Sequence, residues 1–202
     1  VVVPPEGYLK KVRDICTKNN VLLIADEIQT GLCRTGKMFC YQHEGIHPDV
    51  LLLAKALGGG CAPISIVLGS KKTMSVFTPG SHGSTFGGNP LACAIATASL
   101  DVLVEEGLAD RAVEMGGHFM QGLKDMNIPF VKEVRGKGLL IAIQLDESAG
   151  PARKYTEALM RNGLLAKETH VHTIRFAPPL TITKEQIDEA LGIIRKVFTG
   201  QL

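Results

Sequence analysis

Val21-Leu22-Leu23-Ile24-Ala25-Asp26-Glu27 is the stretch on which the fold turns. An unbroken apolar run that ends in two acids is the pattern of a short strand buried on both faces. Upstream, Tyr8, Leu9, Val12, Ile15 and Cys16 recur at helical spacing, and Asn19-Asn20 supplies a stop. Downstream, a second run, Val50-Leu51-Leu52-Leu53-Ala54, ends in Lys55, and Ile64 to Leu68 reads as a third strand. Asn89-Pro90 carries the N-cap and N1 signature of a long helix that runs to about Glu106, with Gly107 as its stop. Helices alternating with doubly buried strands argue for an α/β fold in which helices cover a parallel sheet.

The pattern changes after Glu106. Leu108, Ala112, Met115, Phe119 and Leu123 mark one face of an amphipathic helix. Val131 to Arg135 and Leu139 to Leu145 read as strands around Gly136-Lys137-Gly138, and a helix follows Pro151 and stops at Gly163. Thr173 to Phe176 is a short strand. Thr183 with Gln186 is a capping box, ahead of an apolar stripe of Ile187, Leu191, Ile194 and Phe198. Two domains are therefore expected: residues 1–106, and a small α+β domain over 107–202.

The chain has 202 residues and a formal net charge of +2. That balance gives no footprint for nucleic acid or a membrane surface, which needs clustered basic charge. No apolar stretch approaches the roughly 18 residues of a membrane span. The five cysteines, Cys16, Cys33, Cys40, Cys61 and Cys93, form no Cys-x-x-Cys and leave one over from any pairing. They read as half-buried small hydrophobes in a reducing compartment: the cytoplasm, or the mitochondrial matrix in a eukaryote. The opening Val1-Val2-Val3-Pro4 reads as the interior of a strand, so the chain is expected to be part of a longer one.

Two motifs match well-known signatures in letters only. Gly31 to Met38 fits G-x-x-x-x-G-K, but Met38 stands where a hydroxyl should hold Mg²⁺, and Asp26 to Thr30 separate the loop from the strand. His43-Glu44-Gly45-Ile46-His47 fits H-E-x-x-H, which needs both histidines on one face of a stable helix. Gly45 interrupts that helix, and Pro48 disfavours helical geometry at His47. His170 and His172 read as loop histidines. No metal site is expected.

The chemistry is expected at Asp26 and Lys55, each at the C-terminal end of an apolar strand, the edge where open α/β sheets bind ligands. An amine and a carboxylate there suit pyridoxal phosphate: Lys55 to form the Schiff base, Asp26 to keep the pyridine nitrogen protonated. Burial at such a strand end would lower the amine's pKa and free it to attack. Spacing alone does not separate this from a plain Asp–Lys ion pair. Gly58-Gly59-Gly60 after the lysine lets backbone approach a ligand closely. Gly80 to Pro90 is a glycine- and hydroxyl-rich segment that leads into a helix N-terminus, suited to an anion, or else a plain turn.

The motifs Leu23-Ile24-Ala25-Asp26-Glu27-Ile28-Gln29-Thr30-Gly31, Arg34-Thr35-Gly36, Pro48-Asp49, Leu53-Ala54-Lys55-Ala56-Leu57-Gly58-Gly59-Gly60 and His82-Gly83-Ser84-Thr85-Phe86-Gly87-Gly88-Asn89-Pro90-Leu91 resemble the class III (ω-amino-acid) aminotransferases of fold type I. The resemblance covers the whole chain. Val134 to Leu140, and Asn162 to Leu180, are most similar to the ornithine branch of that family. It implies part of the large-domain sheet followed by the C-terminal small domain. It implies pyridoxal 5'-phosphate held by Lys55 as an internal aldimine, with Lys55 also shuttling the proton. Asp26 would pair with the ring nitrogen, Ile28 would pack on one ring face, and Gln29 would hydrogen-bond the ring hydroxyl. Ser84 and Thr85 would reach the phosphate of a neighbouring subunit's cofactor, so a homodimer with shared sites is implied. Arg175, a strand-edge charge on its own reading, would bind the substrate carboxylate. The implied reaction moves the δ-amino group of L-ornithine to 2-oxoglutarate, giving glutamate-5-semialdehyde and glutamate. Acetylornithine or another ω-amino acid is the alternative donor, and an inactive structural partner the alternative role. The family's preceding half supplies further cofactor and substrate contacts, so residues 1–202 alone are expected to bind cofactor poorly and catalyse little.

Overall fold

The computed structural model describes residues 1–200, which divide into two compact units, Pro4–Ala109 and Val1–Val3 with the described residues from Asp110 onward. In the first unit, helix α1 (Tyr8–Lys18) ends at Asn19, and Asn20 turns the chain in the left-handed region at φ 55°. Strand β1 (Ile24–Asp26) runs parallel to β2 (Val50–Leu53), with Ala25 opposite Leu51 and Asp26 opposite Leu52.

Asp49 ties α1 to the entry of the sheet. Its Oδ2 accepts from Arg13 Nη1 at 2.6 Å and from the Leu23 N–H at 2.7 Å. The Arg13 hydrogen bond, and then the Leu23 N–H, hold the Asp49 carboxyl below its ordinary value of 3.8. A folded pKa held low contributes stability that is present above the unfolded pKa and lost as pH falls through the folded one. Asp49→Asn should therefore cost about 1 kcal/mol at neutral pH, as for a half-exposed charged hydrogen bond. Urea unfolding of the two proteins should converge as pH is taken below 3.8; a gap that persisted there would refute this role.

Three expectations change in this unit. The strand begins at Ile24, not Val21, because the Val21 N–H is still bonded to Cys16 O of the helix end and the Leu23 N–H is taken by Asp49. Only β2 is buried along its length; Ile24 in β1 is 55% exposed, as fits a strand with one ladder neighbour. The third strand, β3 (Ile66–Gly69), pairs antiparallel to β2, with Leu53 opposite Ile66. Between them the chain forms only the 3₁₀ turn Lys55–Gly58, and a parallel return needs a longer crossover, usually helical.

A short helix, α2 (Lys71–Met74), is capped by the Ser70 hydroxyl, which accepts from the Thr73 N–H. Helix α3 (Pro90–Glu105) starts as expected: Asn89 Oδ1 accepts from the Ala92 N–H at 2.9 Å, and Pro90 occupies the first turn.

Helix α4 (Leu108–Asp125) leads into the second unit and buries Leu108, Ala112, Met115, Phe119 and Leu123, the face expected. Strands β4 (Val131–Lys137) and β5 (Leu140–Leu145) form a hairpin through Gly138. Helix α5 (Ala152–Arg161), strands β6 (Lys167–Thr169) and β7 (Thr173–Phe176), and helix α6 (Lys184–Thr199) complete it, with the sheet ordered β4-β5-β7-β6 and every pair antiparallel. Strand β6, Lys167-Glu168-Thr169, carries no apolar signal and was not expected from the sequence. Ile141, Ile143, Ile174 and Phe176 line the buried face, where Phe119 meets Phe176 with ring centroids 5.5 Å apart. The Thr183–Gln186 capping box forms in both directions, and Ile187, Ile194 and Phe198 are buried behind it. Val1–Val3 form no strand; the Val1 carbonyl instead accepts from Arg135 Nε at 2.6 Å.

Candidate active site

Asp26 and Lys55 come to the same edge of the sheet, at the carboxyl ends of two adjacent parallel strands. The Asp26 carboxylate accepts the N–H of Ile28 at 3.1 Å, a local turn that holds it at the strand end. Among the described residues no ion pair joins it to Lys55. Lys55 is exposed rather than buried, a correction to the sequence reading. It leaves the strand at once into the 3₁₀ turn, where its backbone takes the left-handed region at φ 48°. A non-glycine residue there is uncommon and is held by its surroundings. Here the Leu57 N–H donates to Ala54 O at 3.1 Å, and the Ser99 hydroxyl of α3 donates to Ala56 O at 3.1 Å. Gly59 and Gly60 continue the turn at φ 58° and 76°, values that favour glycine.

Lys55 lines a cleft of about 540 Å³ whose other wall is Phe86, Gly87, Gly88 and Asn89 at the N-terminus of α3. The N-terminal end of the α3 dipole makes that wall favourable to an anion. Asp26, Ile28, Gln29, Ser84 and Thr85 lie outside the cleft lining. Ile28 is half-buried and Gln29 exposed in the turns after β1. Ser84 and Thr85 are exposed on the loop before α3, with the Ser84 hydroxyl accepting from the Gly87 N–H at 3.0 Å. Arg175 belongs to the other unit, on β7, where it is half-buried and stands in a cross-strand row with Ala142, Arg135 and Lys167.

The donor set fits pyridoxal phosphate: an amine and a carboxylate on neighbouring strand ends, an anion-favouring helix end opposite the amine, and a volume within the ordinary range for small-molecule sites. The two discounted motifs do not make sites. The Gly31–Lys37 loop leads into no α-helix, and Leu32 and Cys33 take left-handed conformations. His43 sits in the 3₁₀ helix Cys40–Glu44 with Nε2 3.0 Å from Thr35 O, whereas His47 lies beyond that helix against the Tyr41 ring. Cys61 and Cys93 are exposed, so the cysteines are not uniformly half-buried.

The aminotransferase class-III family model matches residues 1–198. The chain belongs to the class III aminotransferases. It is 59% identical over 196 residues to ornithine aminotransferase 2 of Staphylococcus aureus, covering 97% of this chain and 49% of that one. It is 55% identical over 198 residues to the ornithine aminotransferase of Brevibacillus brevis, covering 98% and 49%. Among solved structures, the ornithine aminotransferase from Toxoplasma gondii ME49 superposes with a TM-score of 0.94 at 48% identity, covering 98% of this chain and 48% of that one. The acetylornithine aminotransferase from Elizabethkingia anophelis gives 0.91 at 48% identity, covering 98% and 50%. The class III chain thus spans about half the length of the curated relatives it matches, and its fold is that of the fold type I aminotransferases. Among its described residues no helix is long and apolar enough to cross a membrane.

One acid carries more structure than its sequence suggests. Glu27 is only 4% exposed, and burial pushes its carboxyl up while hydrogen bonds from Tyr41 and Cys40 oppose the shift. The sequence showed it only as the second acid at the end of an apolar run.

Proposed function

We propose that this chain carries the Schiff-base lysine of a pyridoxal-phosphate enzyme that transfers the δ-amino group of L-ornithine to 2-oxoglutarate. The observation that carries the reading is the cleft in which Lys55 faces the N-terminus of α3, beside the strand that ends in Asp26. Bound pyridoxal phosphate supplies a protonated ring that accepts the electrons released when the C–H bond next to the amine breaks. The Lys55 amine would hold the cofactor covalently and, once released, would take up and return the proton of the reacting carbon. Asp26 keeps the pyridine nitrogen protonated, Ile28 packs against one ring face, and Gln29 donates to the ring hydroxyl. Ser84 and Thr85, on their exposed loop, serve the phosphate of a partner subunit, so a homodimer with shared sites is the working form. Arg175 takes the substrate carboxylate, for which a planar guanidinium offers two parallel hydrogen bonds. Amino acids and 2-oxo acids are thus the substrates, and the cytoplasm or mitochondrial matrix the site of action.

N-acetylornithine is the second reading for the donor, because the Elizabethkingia acetylornithine aminotransferase is as similar in sequence as the Toxoplasma ornithine enzyme. A donor screen in the natural full chain decides between them. With 2-oxoglutarate as acceptor, L-ornithine should give the highest kcat/KM for glutamate formation, above N-acetylornithine and 4-aminobutyrate. A higher value for N-acetylornithine would transfer the assignment to it.

A further inference from the structure

We infer that Glu27 is a positioning residue: its buried carboxylate clasps the returning chain at Cys40 and Tyr41 and so fixes the turn that aims Asp26, Ile28 and Gln29. This rests on the cofactor role proposed for Asp26. Glu27 is fastened at every polar group it has. Its N–H donates to Leu52 O on β2 at 3.0 Å, and its carbonyl accepts from the Gly31 N–H at 3.0 Å. Its two carboxylate oxygens are divided, Oε2 taking the Cys40 N–H at 2.6 Å and Oε1 the Tyr41 N–H at 2.8 Å. These two N–H groups open the 3₁₀ helix Cys40–Glu44, and the first N–H groups of a helix look outside it for acceptors. Residues 28–39 therefore leave and return to the strand end through one side chain. Asp26 is its chain neighbour and is held by the Ile28 N–H inside that loop, so displacement of Glu27 is passed directly to Asp26.

The division of the oxygens makes the clasp specific for a carboxylate. In Gln, one of the two positions becomes an NH₂ facing a backbone N–H, which loses one acceptor and sets two donors against each other. Asp keeps both acceptors and gives up one methylene of reach. Gly31 is part of the same device: a Cβ there would stand 2.9 Å from Glu27 O and 3.1 Å from Oε2.

The test uses the natural full chain, with and without pyridoxal phosphate. Without cofactor, Glu27→Gln should speed hydrogen exchange at the Cys40 and Tyr41 amides while leaving the Ile141 to Leu145 amides protected. With cofactor, it should weaken binding about tenfold or more, since a buried donor left unpaired costs heavily. It should also shift the pH titration of the cofactor's absorbance, which a merely structural residue would leave in place. Glu27→Asp should restore most of both. If Glu27→Gln does not fold, Gly31→Ala decides, because it keeps the carboxylate and displaces the Glu27 backbone; the same losses are expected. Faster exchange at Cys40 and Tyr41 with unchanged cofactor affinity and titration, in whichever variant folds, would overturn the inference. Asp26→Asn is measured alongside: if it too leaves affinity and titration unmoved, the cofactor role of Asp26 fails rather than the clasp.

Discussion

Lys55→Ala should lower amino transfer by on the order of 10⁴-fold or more, because the same amine serves as nucleophile and as general acid–base. Lys55→Arg makes the experiment discriminating. Arginine keeps the positive charge at the strand end but cannot form an imine under these conditions. If Lys55 were only a charge balancing Asp26, arginine would restore the protein. In the proposed role both variants are equally inactive. Reduction with borohydride followed by intact mass measurement reads the attachment itself: the wild type should retain the mass of the cofactor, and neither variant should. Retention of that mass in Lys55→Ala would move the attachment to another lysine and defeat the assignment. The turn argues for Lys55. Lys55 is held in the left-handed region at φ 48°, with only Ala54 between it and the end of β2, and with the Ser99 hydroxyl bracing the next carbonyl. Such a backbone persists only where the surroundings over-determine it.

What could be read from sequence here follows from how local each signal is. The Asn89-Pro90 cap, the Thr183–Gln186 box and the α4 face depend on neighbours three or four residues away, and they form as expected. The ends of β1 do not depend on β1 alone. They are set by Asp49, 26 positions from Leu23, and by the Val21 bond back to the helix, which no periodicity reports. The orientation of β3 is decided by what the chain does between Leu53 and Ile66, where glycines allow reversal and no crossover helix forms. At the site, Asp26 and Lys55 were visible because a charge that ends an apolar run is conspicuous. Glu27 was equally conspicuous, but its burial was not, because its partners are backbone N–H groups at Cys40 and Tyr41 that any residue type could offer. The exposure of Lys55 is hidden from the sequence for a related reason: an apolar strand such as Leu51 to Leu53 does not extend its burial into the turn that follows it.

Gly116→Ala should be the most damaging glycine replacement in the second unit, although alanine is the better helix former. Gly116 and Gly117 sit side by side in α4, and sequence treats them alike, as two weak points worth about 1 kcal/mol each against alanine. The structure separates them. A Cβ on Gly116 would lie 2.0 Å from the carbonyl oxygen of Gly138 and 2.4 Å from its carbonyl carbon, whereas one on Gly117 meets nothing within 4 Å. Gly138 is the left-handed turn of the β4–β5 hairpin, at φ 55°, followed by the fully buried Leu139, so the obstruction is backbone that cannot rotate away. Either α4 moves off the hairpin or the hairpin opens. Overpacking of this kind costs up to about 3 kcal/mol or more, against the ~1 kcal/mol gained in helix propensity, leaving a net loss of about 2 kcal/mol. Gly117→Ala should stabilise by up to ~1 kcal/mol. Gly122→Ala should fall between them, since its obstruction at 2.4 Å is the Cδ1 end of the Leu191 side chain, which can change rotamer. Urea midpoints of the three variants test the order. Equal midpoints for Gly116→Ala and Gly117→Ala would mean that α4 does not lie backbone to backbone on the hairpin, and the packing of the small sheet against this helix would need to be redrawn.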